Sequence, residues 1–222
     1  MDLRAFTIFA QLDDTQIEAV RNELRVKTYG KRDVVCHKDD RSDGLFLLFS
    51  GRLQAIDIAE DGREIGLNLI RAGSFFGELG VIDGLPRSAH IVAIEPSVVG
   101  FVPEGAARDL FYRLPGTAEA MMKHLTALVR SLSNYRTLLA IPNAFQRVYV
   151  LLVQLMQPVP GGLMVITNPP KQQEFAIMVN TSRETVSRAI TQLIAQGVLE
   201  KDYRRLIVRQ PERLRELAAH AT

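Results

Sequence analysis

Cys36 is the only cysteine among 222 residues. One thiol cannot close an internal disulfide, and it cannot supply the thiolate set that an iron–sulfur cluster requires. Histidine is scarce as well: His37, His90, His124 and His220 are scattered and show no metal-ligand spacing. Cys36 and His37 are adjacent on a stretch that reads as a strand, where neighbouring side chains face opposite ways. No nucleophile stands in a pattern with a base, so neither catalysis nor a bound metal is expected. No run reaches the ~18 apolar residues of a membrane span, and the N-terminus has no basic start followed by an apolar stretch. A cytoplasmic chain with no membrane partner is therefore expected. The net charge is only +2, too small to argue for a polyanionic partner from the total alone.

What is present is ordinary for a globular chain: 47% hydrophobic and 23% charged residues, in a length that suits about two domains. The charge is uneven. From Lys171 to the end there are nine Lys and Arg against six Asp and Glu, so a basic C-terminal part follows a near-neutral remainder. Residues 1 to about 24 read as helical, with Phe6, Phe9, Leu12, Ile17 and Val20 spaced for a packed face. From Val26 to Phe101 short β-prone runs alternate with Gly44, Gly51, Gly62, Gly66 and Gly73. Asp61-Gly62 predicts a hairpin turn between Ile56/Ile58 and Ile65/Leu67/Leu69, which are expected to alternate inward and outward along their strands, and the whole stretch predicts a small β-barrel or jelly roll.

After Pro103 the helical period returns. Met121, Leu125, Leu128, Leu132, Tyr135 and Leu139 recur at alternating spacings of four and three, a seam of nearly three heptads. An amphipathic helix on its own domain would give a similar pattern, but the unbroken run favours a two-stranded coiled coil and a parallel homodimer. Ile141-Pro142 ends this helix, because the residue before proline is pushed out of the α region. Asn143 caps the next one, through Phe145, Val148 and Leu152, making the junction a boundary and hinge. The expected divisions are 1–116, 117–141 and 142–222, with Gln157 to Gly162 as a surface loop.

The segment Gln172 to Gln196 reads as a helix-turn-helix. Glu174 to Val179 forms a short helix with Phe175 and Val179 inward, and Asn180 sits where the turn needs a residue tolerant of left-handed backbone. Thr181 or Ser182 caps the second helix, and Val186, Ile190 and Leu193 form its buried stripe. Arg183, Glu184, Ser187 and Arg188 then lie on the exposed side. Arg pairs bidentately with guanine and Glu accepts from the cytosine amino group, so this face suits a G/C-containing half-site of double-stranded DNA. A solvated, salt-bridged face is the competing reading; the preceding helix, the turn and the caps together favour DNA. Gln172, Ser182, Thr185 and the stretch from Lys201 to Arg205 are expected to hold phosphates.

A second informative run spans Phe75 to Ala89. Gly77 lets backbone approach a ligand, Glu78 can accept from a ribose hydroxyl, and Arg87 offers a planar cationic fork for a phosphodiester. Ser88 adds a hydroxyl, and backbone N–H groups from Leu79 onward can face an anion. The alternative is a surface Glu–Arg pair flanking a turn.

That run resembles the phosphate-binding cassette of cyclic-nucleotide-binding domains. Nearly the whole chain resembles the catabolite activator/FNR superfamily of bacterial transcription regulators. The resemblance implies an α+β fold: an N-terminal double-stranded β-helix (jelly-roll) sensor, a long dimerisation helix and a C-terminal winged helix-turn-helix. It implies that Gly77, Glu78, Leu79, Arg87 and Ser88 hold a cyclic nucleotide, cyclic AMP first. It also implies that Arg183, Glu184 and Arg188 read TGTGA-type palindromes as a homodimer, and that RNA polymerase is a partner. One departure stands out: the family's adenine-contacting Thr-Ser pair is matched by Leu132 and Ser133, and a pocket arginine by Leu128. Cyclic GMP, a cyclic dinucleotide, a haem or redox signal, or activity without ligand are the alternatives this leaves.

Overall fold

Among the described residues, three sheets of four strands and eight α-helices carry the chain. The structure, a computed structural model, describes residues 1–58, 64–203 and 205–219, and the side chains of these apart from 64–67. In chain order the elements are α1 (Asp14–Glu23), β1 (Arg25–Tyr29), β2 (Val34–Cys36), β3 (Gly44–Ser50), β4 (Arg52–Ile58), β5 (Glu64–Arg71) and β6 (Phe75–Phe76). There follow α2 (Glu78–Asp83), β7 (His90–Ala93), β8 (Ser97–Pro103), α3 (Glu104–Arg113), α4 (Pro115–Leu139), α5 (Ala144–Leu155), β9 (Gln157–Pro158) and β10 (Met164–Thr167). The last are α6 (Gln172–Met178), α7 (Arg183–Ala195), β11 (Leu199–Asp202), β12 (Arg205–Val208) and α8 (Pro211–Ala219). The third sheet, formed by β9 to β12, belongs to the C-terminal part. The chain divides into two compact units, Met1–Val129 and Arg130–Thr222.

In the first unit the sheets run β1-β8-β3-β6 and β2-β7-β4-β5. Side chains of both sheets meet in one core, Tyr29, Phe46, Leu48 and Val99 from the first with Leu53, Ala55, Ile91 and Ala93 from the second. The run Leu45-Phe46-Leu47-Leu48 is buried on both faces for a simple reason of period two. Phe46 and Leu48 point between the sheets, while Leu45 and Leu47 point to a second core under the helices, with Phe6, Phe9, Leu110 and Met121.

Several expectations are corrected here. Residues 1–24 are not one helix: two 3₁₀ turns, Leu3–Ala5 and Thr7–Phe9, precede α1. The break comes because Asp13, extended, caps α1 in a reciprocal box with Gln16. The inward–outward alternation of β4 also fails. A register shift against β5 between Ala55 and Ile56 turns both inward, leaving Ile58 52% exposed. β4 and β5 do form the hairpin, but its expected turn, Asp61-Gly62, lies outside the described residues. The loop at 157–162 begins instead as a two-residue strand, β9, paired with β10.

In the second unit α5, α6, α7 and α8 pack with β10, β11 and β12 around Val148, Leu152, Phe175, Val186, Leu193 and Val208. Asn143 caps α5 by accepting from the amides of Phe145 and Gln146. Arg147 then ties the junction before α5 to the turn after α6. It donates to the carbonyls of Ile141 (2.7 Å) and Pro142 (3.1 Å), and to those of Val179 (2.8 Å) and Asn180 (3.0 Å).

Candidate functional site

A cavity of about 260 Å³ opens in the first unit beside β6 and α2. Gly77 caps α2 with φ of 85°, a left-handed conformation that glycine adopts without cost. A Cβ there would stand 2.3 Å from Nη1 of Arg87, so only glycine admits this arginine. Arg87 is buried. Its Nη2 donates to Oδ1 of Asp43 at 2.8 Å and to the carbonyl of Gly44 at 2.9 Å, and Nη1 donates to the carbonyl of Gly77 at 3.2 Å. Its guanidinium carbon lies 4.8 Å from the centre of the Phe46 ring. Glu78, also buried, and exposed Ser88 line the same cavity with Gly77, Leu79 and Arg87. The arrangement sets a fixed cationic fork, a carboxylate and a hydroxyl around one small space. It is suited to a ligand that carries both an anion and hydroxyl groups.

From α4 the cavity receives His124 and Leu128. The His124 ring lies 4.4 Å from that of Phe75, and Nε2 is 3.7 Å from Oε1 of Glu78. Leu132 and Ser133, matched to the family's base-reading pair, are not among the described residues lining it; Leu132 is 66% exposed. Cys36 lines the cavity as well, and burial, opposed by Arg87, pushes its thiol up to about 11. Among the described residues no group of three or more His, Cys, Asp or Glu side chains is placed to hold a metal.

The second unit presents a helix-turn-helix with its exposed face on α7. Asn180 takes φ of 47° at the turn, and Ser182 caps α7 by accepting from the Thr185 amide. Val186, Ala189 and Leu193 are buried, which leaves Arg183, Glu184 and Arg188 exposed on the other side. Gln172, at the start of α6, donates from Nε2 to Oγ of Ser187 at 3.3 Å, so the two helices meet beside that face.

Residues 26–113 match the family model described as cyclic nucleotide-binding domain, and residues 146–217 match the Crp-like helix-turn-helix domain. The chain belongs to the CRP/FNR family of transcription regulators. A CRP-like cAMP-activated global transcriptional regulator of Mycobacterium tuberculosis is 26% identical over 93% of this chain and 94% of its own length. A cyclic AMP receptor protein of Thermus thermophilus is 27% identical over 97% and 98%. Among solved structures, a CooA variant from Carboxydothermus hydrogenoformans covers 98% of this chain and 97% of its own, with TM-score 0.75 at 22% identity. As a CRP/FNR regulator the protein binds DNA and is not an enzyme. No helix among the described residues is long and apolar enough to cross a membrane.

For this CRP/FNR chain the residues of the expected dimer seam fall on different sides of α4. Met121 is 4% exposed and Leu125 packs beside it, both serving the core of the first unit, while Leu128 faces the cavity. Tyr135 is half-buried. The exposed apolar residues are Met122 (61%), Val129 (63%), Leu132 (66%) and Leu139 (36%), spaced seven, three and seven. The helix carries two adjacent apolar stripes, and spacing alone does not say which one meets its own unit. His124 was missed for a related reason: as one scattered histidine it had no motif, and only its place one turn before Leu128 pointed to the cavity. Lys201 lies exposed on β11, and Tyr203, 86% exposed, follows that strand.

Proposed function

We propose that the protein is a homodimeric transcription regulator whose first unit binds cyclic AMP and whose α7 reads G-containing arms of a TGTGA-like palindrome. The observation that carries the effector half is the gathering of Glu78, Arg87 and Ser88 around one cavity. In this reading Arg87 and Ser88 hold the cyclic phosphate and Glu78 accepts from the ribose hydroxyl, while Gly77 and Leu79 supply close backbone. The base lies toward Leu128 and His124 rather than Leu132 and Ser133. The names of the Mycobacterium and Thermus relatives support cyclic AMP over other cyclic nucleotides. A redox signal through Cys36 is disfavoured, because a thiol held near 11 is protonated at neutral pH.

On the DNA side, Arg183, Glu184 and Arg188 contact base edges. Gln172, Ser182, Thr185, Ser187 and Lys201 position the helix against the backbone. The exposed row on α4 joins two copies, so that two recognition helices address the two arms about 34 Å apart. Division into sensor (1–116), dimer helix (117–141) and DNA-binding domain (142–222), and contact with RNA polymerase, belong to the same reading.

The test is calorimetry with cyclic AMP and cyclic GMP, followed by binding to a palindromic TGTGA fragment with and without the nucleotide that binds. Cyclic AMP is expected to bind tighter than cyclic GMP and to raise DNA affinity at least tenfold, a coupling typical of allosteric regulators. Arg188→Ala should cost about 1–3 kcal/mol on that fragment and relax preference at one guanine. Unchanged base selectivity in that variant would refute the readout, and absence of nucleotide binding would refute the effector.

A further inference from the structure

Arg87 is a cation with a 5% exposed side chain, and it already has an anionic partner. The carboxylate of Asp43, itself 65% exposed, sits 2.8 Å from Nη2 while two backbone carbonyls and the Phe46 ring hold the guanidinium plane. A buried guanidinium requires a counter-charge. With Asp43 in place, an entering ligand meets a neutral pair, not a naked cation. Glu78 adds a buried carboxylate to the cavity wall, 6% exposed, while Asp43 stands behind Arg87 and does not line the cavity itself. The local charge from Glu78, Asp43 and Arg87 is therefore net negative before any ligand arrives. His124, 3.7 Å from Glu78, and Cys36 are the other ionisable side chains lining the cavity.

We propose that Asp43 is a specificity-determining residue: it limits the charge that the effector cavity accepts to about one negative charge. A cyclic phosphodiester carries one. A nucleoside 5′-monophosphate, with a second phosphate ionisation near pH 6, carries about 1.5 to 2 at neutral pH. Repulsion from Asp43 scales with ligand charge, so the monoester is penalised about twice as heavily as the diester. The cavity thereby rejects the hydrolysis product of its own effector class without a steric filter. Asp43 acts through Arg87 and the field around it, and no contact of its own with the ligand is needed. This inference rests on the reading of the cavity as a cyclic-nucleotide site.

The decisive variant is Asp43→Asn, which keeps an acceptor oxygen for Nη2 and removes only the charge. Binding of cyclic AMP, 5′-AMP and adenosine is measured by calorimetry on the full chain, wild type beside variant. Cyclic AMP is expected to tighten by about tenfold and 5′-AMP by more, on the order of a hundredfold, as the charge-proportional penalty is lifted. Adenosine, which has no phosphate, should bind both proteins alike. Asp43→Glu should preserve the wild-type ratio of cyclic AMP to 5′-AMP, and Asp43→Ser should repeat the loss of discrimination if the amide variant does not fold. An unchanged ratio in the neutral variants overturns the role of Asp43 while leaving the effector reading intact. Equal tightening of all three ligands overturns it too, because the effect would not be one of charge. Failure of wild type and variants alike to bind cyclic AMP overturns the effector reading, and this inference falls with it.

Discussion

The chemistry of the effector site depends on a few residues held in conformations that tolerate no substitute. Gly77 is the sharpest case, with φ of 85° and Arg87 Nη1 2.3 Å from the place of a Cβ. Gly77→Ala adds backbone strain of about 1–3 kcal/mol and forces the guanidinium aside. Losing one charge-assisted hydrogen bond, about 1.5–3 kcal/mol, should weaken cyclic nucleotide binding by more than tenfold. Calorimetry and a thermal melt of the same variant separate the two effects. Cys36 gives a prediction of the opposite kind, an inert residue in a reactive type. Burial pushes its thiol up to about 11, so at pH 8 the thiolate fraction should be about two orders of magnitude below that of an ordinary cysteine. Labelling with a disulfide reagent should be slow in the native protein, accelerate as pH rises toward 11, and become fast on unfolding. Native labelling as fast as that of the unfolded chain would contradict the burial. Gly77, Glu78, Arg87 and Ser88 were legible in the sequence because the chemistry lies within one short run. Asp43 and His124 were not, because they arrive from the residue before β3 and from α4, far along the chain, and carry no motif of their own.

Helices and turns were most legible where one residue has a conformational duty. Asn180 at φ of 47° and Ser182 at the N-cap are both where turn and cap chemistry require them. Strand detail was less legible, since the register shift in β4 depends on pairing with β5, not on the residues of β4 alone. The wing shows an element that goes against its local preference. Asp202 of β11 pairs with Arg205 of β12, and Tyr203, the residue after Asp202, takes φ of 44°. Left-handed backbone favours Gly and Asn, and an aromatic residue with positive φ costs strain there. Tyr203→Gly should therefore stabilise the second unit by about 0.5–1 kcal/mol, after allowing for the extra freedom of glycine in the unfolded chain. Calorimetric scanning should read this as a rise of about 2–6 °C in the transition of that unit. A fall in Tm would mean that the Tyr203 side chain contributes more by its contacts than its backbone costs.

For the molecule as a whole, α4 is where fold and assembly compete for the same helix. Its sequence holds enough leucine, methionine and valine for two faces, and one of these is spent inside the first unit on Met121, Leu125 and Leu128. The heptad period was therefore real in the sequence, while its register toward a partner was not readable until burial assigned the inner face. What remains outside is a row at Met122, Val129, Leu132 and Leu139 with coiled-coil spacing, a pattern of exposed apolar side chains that a lone helix has little reason to keep. Placing Lys at both Val129 and Leu132 puts like charges across the proposed seam without touching either core, so the monomer should fold with nearly unchanged stability. Sedimentation should then show a single chain where the unaltered protein shows two. Binding to a full palindrome should fall by at least about a hundredfold, because the second arm is no longer held at high effective concentration by the first. Binding to an isolated half-site should barely change, since Arg183, Glu184 and Arg188 are untouched. A variant that sediments as a dimer would place the seam elsewhere. A monomer that keeps full palindrome affinity would mean that the two arms are read without coupling through α4.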